Sequence, residues 1–312
     1  MADRFFDRSE IERARGYHRP RYVLVLLNLG LGVSVLGIFA FSPVGNRLDA
    51  ALGVVPWAAR AALEAAIVLG VLEAVRLPGD FWIGHVRERR YGFSTQSGGA
   101  WLLDRLKAFA IGVVLSSAAL AGFVATKHNA YVSGLGRTRR VVVFDTLLRR
   151  DRPRELRLIV AHELGHRRAR HVLKGTLISM AGAAGAVTCF WGALRWDALP
   201  APGNPRVVPF LLFGGALLEL VIMPFGAALS RRWEREADRF SLELTQDPEA
   251  YAEAHRSLAR ANLSDLDPPR ALYVLMFSHP TAPERLGTLT SWAESSPSSQ
   301  SSSARGHSSM PS

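Results

Sequence analysis

Two histidines four residues apart, with a glutamate beside the first, are the residues of this sequence best suited to do chemistry. In the segment Asp151 to Lys174, DRPRELRLIVAHELGHRRARHVLK, His162 and His166 stand at i and i+4 and Glu163 follows the first. Leu156, Ile159, Val160 and Leu164 have helical spacing, and Pro153 suits a first helical turn. On one helix both imidazoles then leave the same face. Two neutral imidazoles suit Zn2+, which takes a third protein ligand and a water, and Glu163 stands where a carboxylate can take that water's proton. With nine His and fifteen Glu in the chain, chance would produce this spacing only about 0.01 times. His171 lies five residues past His166, so on a continuous helix it points to a different face and reads as solvated or headgroup-facing.

The third ligand must come from elsewhere. The stretch RRWEREADRF, Arg231 to Phe240, offers Glu234 and Asp238 at i and i+4 of a predicted helix. One carboxylate can ligate zinc while the other hydrogen-bonds a ligand histidine from behind. We expect Glu234 as the ligand and Asp238 as its support, with Glu236 facing elsewhere. Without the histidine pair the same stretch would read as a charged helix with i,i+4 pairing of Arg231 or Arg235 to acids.

The elements that must carry these residues are set by composition. The chain has 312 residues, 48% hydrophobic and 21% charged, with mean hydropathy +0.10. That excludes a disordered, collagenous or disulfide-stapled protein. Lys and Arg outnumber Asp and Glu 38 to 27, a formal charge of +11, which invites a nucleic-acid reading. The arginines, however, fall between long apolar runs, the pattern of a polytopic membrane protein whose basic loops meet anionic headgroups, with no nucleic-acid partner. The lone Cys189 allows no internal disulfide. No cleavable signal peptide is expected.

Five runs approach spanning length: Tyr22 to Ser42, Ala58 to Val75, Ala108 to Ala125, Gly175 to Leu194 and Val207 to Leu229. The second holds Arg60, Glu64 and Glu73, so it is either shielded by neighbouring helices or lies partly in the interface. Glu219, inside the fifth, is either a functional group or a hydrogen-bonding strut between helices. Counting Lys and Arg along the connections gives six, one, six, thirteen, two and nine. The thirteen, which surround the histidine pair, argue for a cytoplasmic site at a multi-pass cell membrane. Strict alternation would put them outside, so one crossing is missing between Ala108 and Gly175 or the third run does not cross.

HELGH, two apolar spans and then RRWEREAD together resemble the integral-membrane zinc metalloproteases of the CAAX prenyl endopeptidase type, with HtpX-like quality-control proteases as bacterial cousins. Arg90 to Phe109 looks like that family's N-terminal membrane domain, Asn129 to Leu148 like its strand hairpin, and Ser278 to Arg285, SHPTAPER, like its late His-Pro motif. The resemblance implies that His279 and Arg285 help bind substrate and stabilise an oxyanion. Read alone, they are a loop histidine and a surface arginine. It also implies that Asn129, Ala130 and Tyr131 form an edge strand to which an extended substrate adds by backbone pairing. Family members carry a further span and a short soluble segment before that strand, and the crossing demanded by the charge count corresponds to this absent piece, between Phe123 and Asn129.

The expected fold is mainly α: a polytopic helical membrane protein of about five spans, with a zincin-like helix and a small β-hairpin. Expected regions are a membrane domain (1–125), the hairpin and metal helix (126–174), two spans (175–229), the third-ligand helix and His-Pro region (230–291) and a polar, low-complexity tail (292–312). The expected activity is hydrolysis, with one zinc per chain, of membrane-associated, lipidated (CAAX-type) or misfolded membrane proteins and peptides. The alternative is a catalytically impaired zinc-binding membrane sensor or scaffold.

Overall fold

The computed structural model describes residues 1–125, 153–196, 199–201 and 204–295. Every regular element among the described residues is helical. The expected hairpin, with Asn129, Ala130 and Tyr131, and most of the polar tail lie outside the described residues, as does most of the stretch between Phe123 and Asn129.

The helices are α1 (Arg8–Phe41), α2 (Pro43–Ala51) and α3 (Trp57–Phe81), which continues through a π-helical stretch, Trp82–Arg87, to Arg90. Then come α4 (Gly98–Ala125), α5 (Pro153–Arg168), α6 (His171–Ala193) and α7 (Val207–Thr245). Three shorter ones follow, α8 (Pro248–Ala261), α9 (Arg270–Met276) and α10 (Ala282–Ser295). The five apolar runs fall in α1, α3, α4, α6 and α7. Among the described residues α1, α6 and α7 are long and apolar enough to cross a membrane. Ser42 does not close the first run but caps α2, its hydroxyl accepting the Val44 N–H at 3.2 Å. The fifth run and the RRWEREAD stretch are one uninterrupted 39-residue helix, α7.

The chain folds as two compact units. One, from Pro20 to Ser133 and Leu177 to Ile222, holds most of the apolar helical surface. Its charged residues answer the puzzle of the second run, because they are paired. Glu64 is buried and Arg60 lies against both it and Asp49. Arg105 reaches Glu73 and Asp80, Asn28 donates to Asp80 at 2.9 Å, and Arg76 donates to the Asn28 carbonyl at 2.8 Å. Pairing of this kind is what makes ionisable residues tolerable in a span.

The other unit takes Met1–Arg19, the chain around α5, and everything from Met223 onward. Its core joins Phe6, Ile11 and Ala14 to Ala252 and Ala259 of α8, Leu266, and Leu286 of α10. Arg260 to Glu10 (2.6 Å) and Arg15 to Asp267 (3.1 Å) flank that seam. A second cluster packs Leu158 of α5 against Leu242, Ala250 and Tyr251.

Candidate metal centre

α5 is fixed at its start and along its back. Pro153 opens it, where the missing N–H costs nothing. Arg154 in the first turn grips Asp247 through two bonds of 2.8 and 2.9 Å, and the same carboxylate caps α8 by accepting the Ala250 N–H at 3.0 Å. Further along, Gly165 lies against α7. A Cβ there would come 3.0 Å from the Ala237 Cα and 3.1 Å from the Phe240 ring. The glycine of HELGH therefore lets α5 and α7 meet backbone to backbone, which brings Glu234 and Asp238 within reach of the histidines.

The three candidate donors converge. His162 Nε2 and His166 Nε2 are 3.1 Å apart, and they lie 3.5 and 3.2 Å from the two Glu234 carboxylate oxygens. A tetrahedral ion bound at about 2.0–2.1 Å spans donor–donor edges of about 3.3 Å. Two imidazoles and a carboxylate at these separations fit Zn2+ in donor type and in size. Glu163, the adjacent acid, is exposed.

Behind the donors sits a second set of groups. His162 Nδ1 meets Asp238 Oδ1 at 2.9 Å, and Arg285 donates to Asp238 at 2.9 Å and to Glu234 at 2.7 Å. Arg285 thus braces the carboxylates. His279 is mostly exposed, 3.6 Å from Glu234 Oε1, with Nδ1 2.8 Å from the Ser278 hydroxyl. The turn that carries it is held by Arg231, which donates to the carbonyls of Tyr273 and Phe277 and stacks on the Tyr273 ring.

Burial works against charge on His162, but Asp238 and Glu234 outweigh it and raise the imidazole to about 9 in the metal-free site. Burial likewise opposes ionisation of Glu234 and Asp238. The histidines, with Arg285 beside Asp238, outweigh it and hold both carboxylates below their ordinary range. A cavity of about 220 Å³ opens beside these groups, lined by Leu158, Ile159 and Tyr251 among others. His255, on its wall, stacks edge-on to Tyr251 and lies 4.0 Å from Asp238, and burial pushes it down to about 4.

His171 requires a correction. It is neither solvated nor turned away: it is 3% exposed, its Nδ1 is 2.9 Å from His166 Nδ1, and its ring stacks on Trp233 at 5.0 Å and 14°. The reason is a break in the helix. α5 ends at Arg168, Arg170 takes a left-handed backbone (φ 55°), and α6 starts afresh at His171. A face assigned by counting 100° per residue does not survive that break. Glu236, which does face away from the three donors, is 3.3 Å from His171 Nε2. His255 and Gly165 were also missed. Gly165 left a usable signal, a small residue in helical register with Leu158 and Ala161, whereas His255 left none.

Residues 100–293 match the profile of peptidase family M48, well over half of the chain. The chain belongs to that family. A second profile, described as CAAX prenyl protease N-terminal with five membrane helices, matches residues 2–131. With three span-like helices among the described residues, this M48 member is a multi-pass membrane protein. It is 33% identical over 166 residues to the uncharacterized metalloprotease YhfN of Bacillus subtilis, covering 51% of this chain and 39% of that one. A protease HtpX homolog of Desulfatibacillum aliphaticivorans is 31% identical over 185 residues, covering 52% and 59%. A probable CAAX prenyl protease 1 of Schizosaccharomyces pombe is 32% identical over 175 residues, covering 53% and 36%. The chain thus spans between about a third and three fifths of these relatives' lengths. The crystal structure of S. mikatae Ste24p shares the fold, with a TM-score of 0.67 at 18% identity over 91% of this chain and 89% of that one.

Proposed function

We propose that this M48 member is a membrane-embedded zinc metalloendopeptidase that cuts peptide bonds of membrane-associated or lipidated peptides, CAAX-type or from misfolded membrane proteins, at the cytoplasmic face. The observation that carries the reading is the convergence of His162, His166 and Glu234 at separations of 3.1 to 3.5 Å beside the acid Glu163. The cytoplasmic side rests on the thirteen positive charges around the site.

Zinc, when bound, supplies a Lewis acid that polarises a carbonyl and lowers the pKa of water at the site. Glu163 takes the proton of the attacking water and returns it to the departing amine nitrogen, so that one water is consumed and one peptide bond is broken. His162, His166 and Glu234 hold the ion. Asp238 fixes the His162 tautomer with the proton on Nδ1, leaving Nε2 free to ligate. Arg285 keeps both carboxylates ionised and oriented, and the exposed His279 is the group available to developing negative charge on the substrate. Asn129, Ala130 and Tyr131 are proposed to receive the substrate backbone in extended form.

The test compares wild type with Glu163→Gln in detergent, measuring zinc content and cleavage of casein and of a prenylated peptide. One zinc per chain in both, with cleavage falling at least about 10²-fold in the variant, is the expected outcome. If wild type holds zinc and cleaves nothing, the sensor or scaffold reading replaces the enzyme.

A further inference from the structure

The two histidines of the site are supported in different ways, and only one of the supports is of the usual kind. His162 leans directly on a carboxylate, Asp238. His166 leans on another imidazole. Its Nδ1 and that of His171 are 2.9 Å apart, a distance at which one atom carries the proton and the other must accept it. When His166 Nε2, which faces His162 and Glu234, ligates an ion it must be unprotonated, which puts the proton of the neutral ring on Nδ1. His171 Nδ1 is then the acceptor, its own proton sits on Nε2, and that N–H faces Glu236 at 3.3 Å. With both rings neutral and His166 Nε2 ligating, this is the arrangement of protons that satisfies the contacts.

From this we infer that His171 and Glu236 are positioning residues for the metal centre. They form an imidazole-to-carboxylate relay that fixes the tautomer and ring plane of His166 and raises its strength as a ligand. The inference rests on the metal-centre reading and extends it to residues that contact no donor atom facing the ion. Three observations converge on it. His171 is 3% exposed, and a buried imidazole needs partners for both nitrogens. It finds one in a candidate ligand and the other in an acid. Its ring is held flat against Trp233, the residue immediately before Glu234, so the helix that supplies the third donor also orients the brace of the second. The left-handed Arg170 supplies the reversal that returns the chain to His166. Glu236 keeps 55% of its side chain exposed, so it tethers the relay from the solvent side, whereas Asp238 is enclosed.

The test measures zinc affinity by chelator competition on the full chain in detergent, together with thermal unfolding of the metal-free protein. His171→Phe keeps a ring to stack on Trp233 and removes both nitrogens, whereas His171→Asn offers an amide oxygen near the Nδ1 position. We expect zinc to bind about 10- to 100-fold more weakly to His171→Phe, with most of the loss recovered in His171→Asn and a smaller loss in Glu236→Ala. Unchanged zinc affinity in His171→Phe, even with a lowered unfolding temperature, means that the residue only packs and overturns the inference. Equal weakening in the Phe and Asn variants overturns it as well. His162→Ala serves as the control: if wild type binds no more zinc than this variant, the metal-centre reading itself fails and takes the inference with it.

Discussion

Arg105 and Arg285 have the same task in different surroundings. Each guanidinium reaches two carboxylates, Glu73 and Asp80 in the apolar unit, Glu234 and Asp238 in the metal unit. In the apolar unit the described contacts of this network are complementary, N–H against oxygen, and Asn28 and Arg76 extend it on the same terms. In the metal unit two imidazoles have been added, and the atoms that approach one another include two nitrogens and a carboxylate that all bear lone pairs. Complementary contacts close a network. Three acceptors gathered at 3.1 to 3.5 Å need a proton or a cation among them. The raised His162 is the proton's answer to that demand in the metal-free protein.

Removing the same group from both regions tests this contrast most strongly. Arg285→Met leaves Glu234 and Asp238 buried without their guanidinium. It should cost the metal-free protein about 3–5 kcal/mol in chemical unfolding, with part of the loss restored by zinc, whose charge takes over. Arg105→Met removes a partly exposed bridge and should cost less, about 1–3 kcal/mol, with zinc content unchanged. A fall in zinc binding on Arg105→Met, or no rescue of Arg285→Met by zinc, would break the comparison.

Gly165→Ala offers a smaller lesion. The added methyl meets backbone at 3.0 Å and must push α5 and α7 apart, at a cost of about 1–3 kcal/mol in thermal or chemical unfolding. Zinc affinity should fall in parallel, because the histidines and Glu234 sit on the two separated helices. An unfolding curve identical to wild type would show that the close approach is not required.

The last test is in pH. A histidine raised from 6.5 to about 9 contributes stability that is complete below pH 6.5 and is lost as pH rises through about 9. Chelator-treated protein should therefore unfold at progressively lower temperature across that window. Zinc competes with the same proton, so apparent zinc affinity should rise across the same range. A flat profile in the metal-free protein would show that Asp238 and Glu234 do not hold a proton on His162.

How much of this was legible in the sequence depends on whether a relation stayed within one unbroken helix. His162 with His166 and Glu234 with Asp238 are i,i+4 pairs inside α5 and α7, so helical periodicity alone put each pair on one face. The span-like helices α1, α6 and α7 were legible because length and apolarity are local properties. His171 was not, because Arg170 interrupts the count between it and His166. The docking of Phe6, Ile11 and Ala14 against α8 was equally hidden, since it joins residues about 240 positions apart through apolar contacts with no spacing signature.

The contact at Gly165 also bears on which ion the site prefers. A side chain at that position would act as a spacer between the helix holding two donors and the helix holding the third. Donor edges of 3.1 to 3.5 Å match an ion bound at about 2.0–2.1 Å, whereas a calcium-sized ion asks for about 2.3–2.6 Å and more oxygens. The absent methyl is therefore a gauge that sets the bore of the site, and substitutions of increasing size at residue 165 should shift its preference towards larger cations before they abolish binding altogether.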